Sequence, residues 1–322
     1  MSVATAIGAL VAFIVWYVLL RQRLAPAPLM RAWFLFVAVL TIFPVSALTR
    51  VIVQLSRLGV STHVVQRLCI VPLVLAFRVG WWLNPQIRMH VTFDADETGT
   101  PLSWQRIHLS GGAYVGNHTS FWDVYAFVCL SPFSHLLNTR TMMKASLRNI
   151  PIFGGVFDRV GHFPVYFASD AEGNFEVDKE RQAAVQVHVD AHLQHGGNLA
   201  IFPEGAINRH PRVLQTFRFG TFHTLFKHRM HAYYFVHVGG EKTWPWWTMI
   251  GGLPTDLHIR VGAFHIDYDR EDSKAVALRM RQHMQRVYNE IVAQTEGAAA
   301  VTAEAKAMET GVLAPTVKAK RQ

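Results

Sequence analysis

The sequence predicts an α/β domain with a mixed sheet flanked by helices, preceded by an apolar membrane anchor. Two uncharged stretches near the start, residues 1–20 and 32–49, are long enough to enter a bilayer as helices. Short apolar, strand-like runs then alternate with helical patterns through most of the remaining chain. We therefore divide the chain into an anchor at 1–60, the α/β domain at 61–295 and a disordered tail at 296–322.

Composition indicates a lipid partner rather than a nucleic acid. Of the 322 residues, 51% are hydrophobic and 16% are charged, with a formal net charge of +9. Such a charge favours an anionic partner, and no basic stripe with interleaved aromatic residues appears. The two cysteines, Cys69 and Cys129, exclude a disulfide framework and a cysteine-based zinc motif.

The anchor leaves two membrane topologies open. Residues 1–20 lack the basic start and the cleavage site of a secretory signal, so they are interpreted as an anchor. Two full spans would place the arginine-bearing loop 21–31 in the cytoplasm and export the domain. A pair that dips into one leaflet, with Pro44 interrupting the second helix, keeps loop and domain together. We favour this second arrangement, with the domain on the cytoplasmic face of the membrane.

The domain elements follow in order. Residues 68–83 suit either an interfacial helix ending in two tryptophans or a core helix. Periodicity and turn residues predict the other elements. The predicted strands are residues 87–93, 104–109, 113–115, 160–166, 199–202, 233–238 and 257–264. One helix is predicted to start at residue 121, and three more are predicted at residues 178–195, 213–231 and 273–293.

His118 and Asp123 stand where the strand at 113–115 gives way to a helix. Imidazole is the side chain best matched to accepting a proton near neutral pH, and a carboxylate on its other nitrogen fixes the tautomer. The same aspartate has a structural interpretation, because Ser120 and Asp123 have the spacing of a helix capping box. The spacing alone does not choose between these two roles.

Residues 117–123, NHTSFWD, resemble the His-x4-Asp block of the glycerolipid acyltransferase family, which contains the lysophosphatidate acyltransferases. Residues 202–205, FPEG, resemble its third block, and residues 217–222 resemble the segment that follows. The matches run in the family's order from about residue 113 to 222. The resemblance implies catalysis by His118 and Asp123. It also implies a set of substrate-binding residues: Asn117, Lys144, Gly161, Phe202, Pro203, Glu204, Gly205 and Arg218.

The resemblance implies transfer of an acyl chain from a CoA or acyl-carrier-protein thioester to a lysophospholipid hydroxyl. The thioester is a co-substrate, and no other cofactor or metal is expected. His118 would be the general base and Asp123 its orienting partner, with backbone N–H groups at 119–121 as oxyanion donors. Glu204 would shape the acceptor site. Lys144 and Arg218 would meet phosphates of the donor or the lipid.

The default acceptor by resemblance is 1-acylglycerol-3-phosphate, yet two positions depart from the family pattern. Phe167 and Ile207 stand where family members carry arginines, so we expect weaker discrimination for a free phosphate end. One alternative is a catalytically silent, membrane-bound lipid-binding protein with the same fold. The other is a zinc protein, because His188, His192 and His195 lie on one face of a predicted helix, though without an acidic partner.

Overall fold

Three apolar helices open the chain and pack beside the domain. The computed structural model describes residues 2–96, 98–168 and 177–310. Helices α1 (Val3–Arg21), α2 (Ala27–Ile52) and α3 (Thr62–Trp82) are each long and apolar enough to cross a membrane. α1 is almost entirely exposed, whereas α2 and α3 pack against each other and bury one face on the domain. The core-helix interpretation of residues 68–83 is confirmed for one face of α3, and the opposite face is apolar and exposed.

The described residues form one sheet of seven strands, in the order β1-β7-β6-β2-β5-β3-β4. All neighbouring pairs are parallel except β6 with β7, so the predicted mixed sheet is confirmed. The strands are β1 (Ile87–Phe93), β2 (Gly112–Gly116), β3 (Thr139–Lys144), β4 (Phe163–Val165), β5 (Asn198–Ile201), β6 (His231–Val238) and β7 (Thr255–Phe264).

Helices cover both faces of the sheet, which explains why the central strands are apolar along their whole length. On β2, Ala113 and Val115 pack into one core cluster while Tyr114, between them, packs into the other. The remaining helices are α4 (Trp122–Leu130), α5 (Phe133–Leu137), α6 (Gly154–Arg159), α7 (Lys179–Gln194), α8 (Phe219–Lys227), α9 (Gly240–Thr243), α10 (Ser273–Glu296) and α11 (Ala303–Glu309).

The connections that follow the adjacent parallel strands β2 and β5 cross the sheet towards opposite ends of the strand order and on opposite faces. From β2 it runs through α4 and α5 to β3, on the face that α2 and α3 cover. From β5 it runs through α8 to β6, on the face that α7 and α10 cover. Ligands of open α/β sheets bind in the crevice outside the carboxyl ends of such strands. The fold therefore places its functional crevice where residues 117 and 202 begin their loops.

Three predicted segments were wrong. Residues 104–109 form turns rather than a strand. The helix predicted at 213–231 is restricted to Phe219–Lys227, because the preceding loop is held by α10: Gln285 accepts from Leu214 N and Arg281 donates to Leu214 O. The tail predicted as disordered from 296 continues to form α11, whose Ala305 and Met308 are buried. Residues 311–322 lie outside the described residues.

The loop between α1 and α2 is held on the domain by one arginine. Arg23 donates from Nη1 to Asp256 Oδ2 at 2.6 Å, from Nη2 to Thr255 O at 2.8 Å and from Nε to Gln86 O at 3.2 Å. These bonds hold the pKa of the Asp256 carboxyl at about 2, chiefly through the Arg23 hydrogen bond. Further along α2, Ser46 donates to Ile152 O, and Arg159 donates to Thr49. The second helix therefore lies along the domain instead of pointing away from it.

Candidate active site

Asn117 fixes the start of the loop that carries His118. Its side-chain amide pairs with the backbone of His237, donating to the carbonyl oxygen and accepting from the N–H, both at 2.9 Å. This pairing extends the β2–β6 ladder one residue beyond Gly116. Asn117 is fully buried, and both polar atoms of its side chain are occupied. The residue predicted to bind substrate therefore joins two strands instead.

One oxygen of Asp123 organises the corner. Oδ2 lies 2.9 Å from His118 Nδ1 and accepts from the backbone N–H groups of Thr119 and Ser120 at 2.6 and 2.8 Å. The capping role and the orienting role that the sequence left open are thus performed by the same atom. These bonds also occupy two of the three N–H groups that were predicted to bind an oxyanion. Thr119 and Ser120 do not fit that role.

The Asp123 contact sets the His118 tautomer. A carboxylate only accepts hydrogen bonds, so Nδ1 carries the proton and Nε2 keeps its lone pair. Among the described residues no hydrogen bond engages Nε2, and the side chain is 19% exposed. The Phe202 ring packs against the imidazole at a centroid distance of 4.8 Å. The geometry thus presents a basic nitrogen at the crevice with its ring held on two sides.

Glu204 and Asn208 clamp the His118 backbone from the β5 side. Glu204 Oε1 accepts from His118 N at 2.8 Å, and Asn208 N donates to His118 O at 2.6 Å. Glu204 Oε2 accepts from Gln215 N and from Asn208 Nδ2, both at 2.9 Å. Burial raises the pKa of Glu204 to about 7 despite these N–H donors, which favour the carboxylate. Because hydrogen bonds within the chain occupy both carboxylate oxygens, Glu204 holds the catalytic loop. Its position therefore does not support the expected direct contact with the acceptor.

Two groups at the end of β6 contact Asp123 from behind, and sequence reasoning missed both. The buried His237 has Nε2 2.8 Å from Asn117 O and 3.5 Å from Asp123 Oδ1. Gly240 lies so close that an added Cβ would be 2.7 Å from Asp123 Oδ1. Both are more than 110 positions away in sequence. The one signal was that the strand predicted at 233–238 ends beside them.

The predicted cationic residues lie at the same edge of the sheet. Lys144 ends β3, and its ammonium stands 5.9 Å from the centroid of the Phe167 ring. Arg218 donates its backbone N–H to Pro203 O at 2.8 Å. Its side chain covers Gly205, where an added Cβ would be 2.1 Å from Arg218 Nε. Gly205 also has a φ of +75°, so two independent constraints require glycine there.

Gly161 is not at this edge. It precedes β4, at the end of the sheet opposite to His118, and faces Gln66 of α3, 2.5 Å from where its Cβ would be. Its predicted part in substrate binding is not supported by this placement. The His188, His192 and His195 face of α7 lies at that far end too. Among the described residues no three His, Cys, Asp or Glu side chains are arranged to hold a metal ion, which gives the zinc alternative no support.

Comparison with known proteins agrees with this geometry. Residues 105–238 match the family model described as Acyltransferase. No curated protein matches the chain. Among solved structures, the chain is similar to the 1-acyl-sn-glycerophosphate (LPA) acyltransferase PlsC from Thermotoga maritima. The TM-score is 0.55 and the identity 14%, over 83% of this chain and 95% of that one.

The matched segment begins before β2 and ends with β6, so it contains His118, Asp123 and the Glu204 loop. The solved structure supports the fold, and the family match supports the chemistry. The chain is therefore an acyltransferase, and its domain at residues 105–238 resembles the glycerolipid acyltransferase family.

Proposed function

We propose that this acyltransferase moves a fatty acyl chain from an acyl-CoA or acyl-carrier-protein thioester to a hydroxyl of a lysophospholipid. The observation that carries the proposal is the 2.9 Å contact of His118 Nδ1 with Asp123, which leaves Nε2 at the crevice. Nε2 takes the proton of the acceptor hydroxyl as its oxygen attacks the thioester carbonyl. When the tetrahedral intermediate collapses, the C–S bond breaks and Nε2 returns the proton to the leaving thiolate. No acyl-enzyme is required.

Asp123 stabilises the imidazolium that forms during this step and keeps Nε2 aimed at the hydroxyl. Glu204 and Asn208 act through the backbone of His118, holding it from both sides. His237 supports Asp123 from the side opposite to His118. These three are positioning residues, whereas His118 is the group that meets the substrate.

Replacement of the base is the direct test. We expect His118→Ala to lower kcat by about 10²–10⁴-fold, the usual contribution of a general base, with an unchanged melting temperature. Asp123→Asn retains a small activity, because the amide oxygen still accepts from His118 Nδ1 and orients the ring, whereas the negative charge that stabilises the imidazolium is lost. The matched control is His223→Ala, which removes an exposed imidazole from α8. Acyl transfer from a radiolabelled thioester is the measurement. Full activity in His118→Ala would overturn the mechanism.

The close contact of Gly240 with Asp123 gives a second test. Gly240→Ala places a methyl group 2.7 Å from Asp123 Oδ1, which must displace the carboxylate. A displacement of about 1 Å costs up to about a hundredfold in rate. Gly220→Ala is the control, because its Cβ meets nothing within 4 Å. We expect kcat to fall in the first variant alone. Equal kcat values in the two variants would show that the position of Asp123 does not limit catalysis.

The acceptor is proposed to be a lysophospholipid for which a free phosphate end is not the main recognition element. Phe167 and Ile207 provide no bidentate partner for a phosphate, and the Lys144 ammonium near Phe167 is a point charge. Arg209 has its guanidinium 4.4 Å from the Trp246 ring centroid. Lys144 supplies counter-charge without the fork geometry that selects a phosphomonoester, whereas the Arg209 guanidinium retains that geometry and is therefore the residue to test.

The selectivity is measured as a ratio of kcat/KM values, for 1-acylglycerol-3-phosphate against lysophospholipids with a capped phosphate. We expect a preference for the phosphomonoester below about a hundredfold, equivalent to roughly 2.7 kcal/mol. A larger preference would contradict the proposal and show that another residue has replaced the family's arginines. Arg209→Met, assayed in the same panel, identifies whether that residue is Arg209.

We further propose that α1–α3 hold the domain on the cytoplasmic face of a membrane as a monotopic or re-entrant anchor. The described contacts support this arrangement, because Arg23 holds the α1–α2 loop against the domain and α2 lies along it. Two spans that export the domain would separate it from that loop. Exposed apolar side chains on α2 and α3 face away from the domain and suit a lipid surface.

Cysteine accessibility tests this placement. The native Cys69 and Cys129 are buried, so a membrane-impermeant maleimide reports on introduced cysteines. We expect Gln22→Cys in the loop and Lys306→Cys in α11 to label only after cells are opened. Labelling of the two positions from opposite sides would contradict the anchor geometry. Labelling of both from outside would contradict the cytoplasmic placement.

A further inference from the structure

A cavity of about 880 Å³ lies at the amino end of the sheet, away from His118. It is bounded by the first turn of α3, by α7 and by the edge strand β4. Gly161 and Arg140 stand at the starts of β4 and β3, which places the cavity at the edge opposite to the active site. Its lining is rich in imidazoles, contributed by His63, His162, His188, His192 and His195.

Arg140 is the least compensated group in this lining. Arg140 is 1% exposed, and its Nη1 donates to the carbonyl oxygens of Leu137 and Thr139 at 3.2 and 3.0 Å. Nε and Nη2 have no hydrogen-bond partner, and no carboxylate of the described residues forms an ion pair with this guanidinium. A buried donor left unpaired costs about 1–3 kcal/mol, and more when it is charged. An external acceptor bound to Nε and Nη2 would remove this cost.

The two unpartnered atoms have a defined geometry. Nε and Nη2 lie on the same edge of the guanidinium plane, and their N–H bonds form the fork that binds two oxygens of one oxyanion. The Nη1 bonds to the carbonyls fix the plane, and this edge has no hydrogen-bond partner. His162 adds a further donor, because Nδ1 accepts from Thr141 N at 3.3 Å and the ring proton therefore resides on Nε2.

Among the described residues, the lining around Arg140 is positive and contains no unpaired acid. Arg67, next to Arg140, donates to Asn138 Oδ1 at 3.0 Å, and its Nε is also unpartnered. Asp158 is the acid in the lining, and it is paired with Arg148 at 2.6 Å. Burial and then the Arg140 charge lower the pKa of His162 to about 3 and of His192 to about 4. These imidazoles are neutral at pH 7, so they add no positive charge to that of the arginines.

We propose that this cavity is a second ligand site, which binds a phosphate group through the Nε–Nη2 edge of Arg140. The volume accommodates a phosphate ester as well as the bare ion. The phosphate belongs either to a soluble molecule or to a lipid headgroup, since α3 borders the cavity at His63 and Gln66 and exposes apolar residues on its outer face. The occupant is separate from acyl transfer, because the cavity lies at the other end of the strands.

Thermal unfolding of the intact, detergent-solubilised protein tests the site with inorganic phosphate as the probe, against sodium chloride at matched ionic strength. We expect a saturable rise of the melting temperature in the natural protein. Arg140→Met melts higher without phosphate, because an unpaired buried charge is removed, and it shows no saturable rise. Arg140→Lys keeps the charge but lacks the fork, so its phosphate affinity falls by about tenfold or more. This variant decides the question if Arg140→Met does not fold.

The control is Arg57→Met, an exposed arginine outside the cavity, which we expect to respond as the natural protein does. A second arm replaces phosphate with a water-soluble, short-chain phosphatidic acid. A response to phosphate identifies a soluble oxyanion site, and a response to the lipid alone identifies a headgroup site. Equal responses in the natural protein and Arg140→Met, or no response to either probe, would overturn the proposal. Repeating the titration in His118→Ala separates this result from the fate of the proposed function.

Discussion

The active site depends on a single buried carboxylate oxygen. Asp123 Oδ2 accepts from His118 Nδ1 and from the backbone N–H groups of Thr119 and Ser120, so it shapes the loop and sets the imidazole tautomer together. Three N–H donors on one ionised oxygen are charge-assisted hydrogen bonds, the strong class in a protein interior. The same set of hydrogen bonds therefore stabilises the fold of this corner and orients the catalytic base.

The rest of the site restrains this unit from three directions. The β5 loop holds the His118 backbone through Glu204 and Asn208, and β6 supplies His237 behind Asp123. The Phe202 ring packs on the imidazole. Each restraint comes from the carboxyl end of a strand adjacent to β2, or from the loop that follows it. The parallel sheet thus does the positioning, because it brings these ends to one edge at fixed spacing.

Buried charge is treated differently at the two edges of the sheet. At the carboxyl edge Glu204 is buried with three N–H donors, so its carboxylate is compensated within the chain. At the amino edge Arg140 is buried with two donor atoms unpartnered, and no carboxylate of the described residues pairs with it. The same low dielectric that makes the first arrangement stable makes the second costly. Because the charge of Arg140 is not compensated by the described residues, we propose that an anion from outside the chain binds in the amino-edge cavity.

The sequence by itself predicted several of the strands and helices, the His118–Asp123 pair and the resemblance to the family. Apolar runs and helix caps are local signals, and they were sufficient to predict β1, α7, β6, β7 and α10. The residues of the family's sequence blocks were recognised because their spacing along the chain does not depend on the fold. Local signals failed where distant contacts decide the outcome. Leu214 is held out of a helix by α10, and Ala305 and Met308 fold a polar-looking tail because α10 offers them an apolar surface.

The tertiary structure alone decided which block residues face the crevice. Asn117 and Glu204 appear in the blocks like substrate contacts, yet their polar atoms are used by His237 and by the His118 backbone. Gly161 lies at the opposite edge of the sheet from His118, because β4 is parallel to β2 and Gly161 precedes it. His237 and Gly240 carry no motif, and they matter because β6 pairs with β2. Sequence fixes chemical identity and local spacing, whereas hydrogen-bond partners across a sheet exist only once the strands have paired.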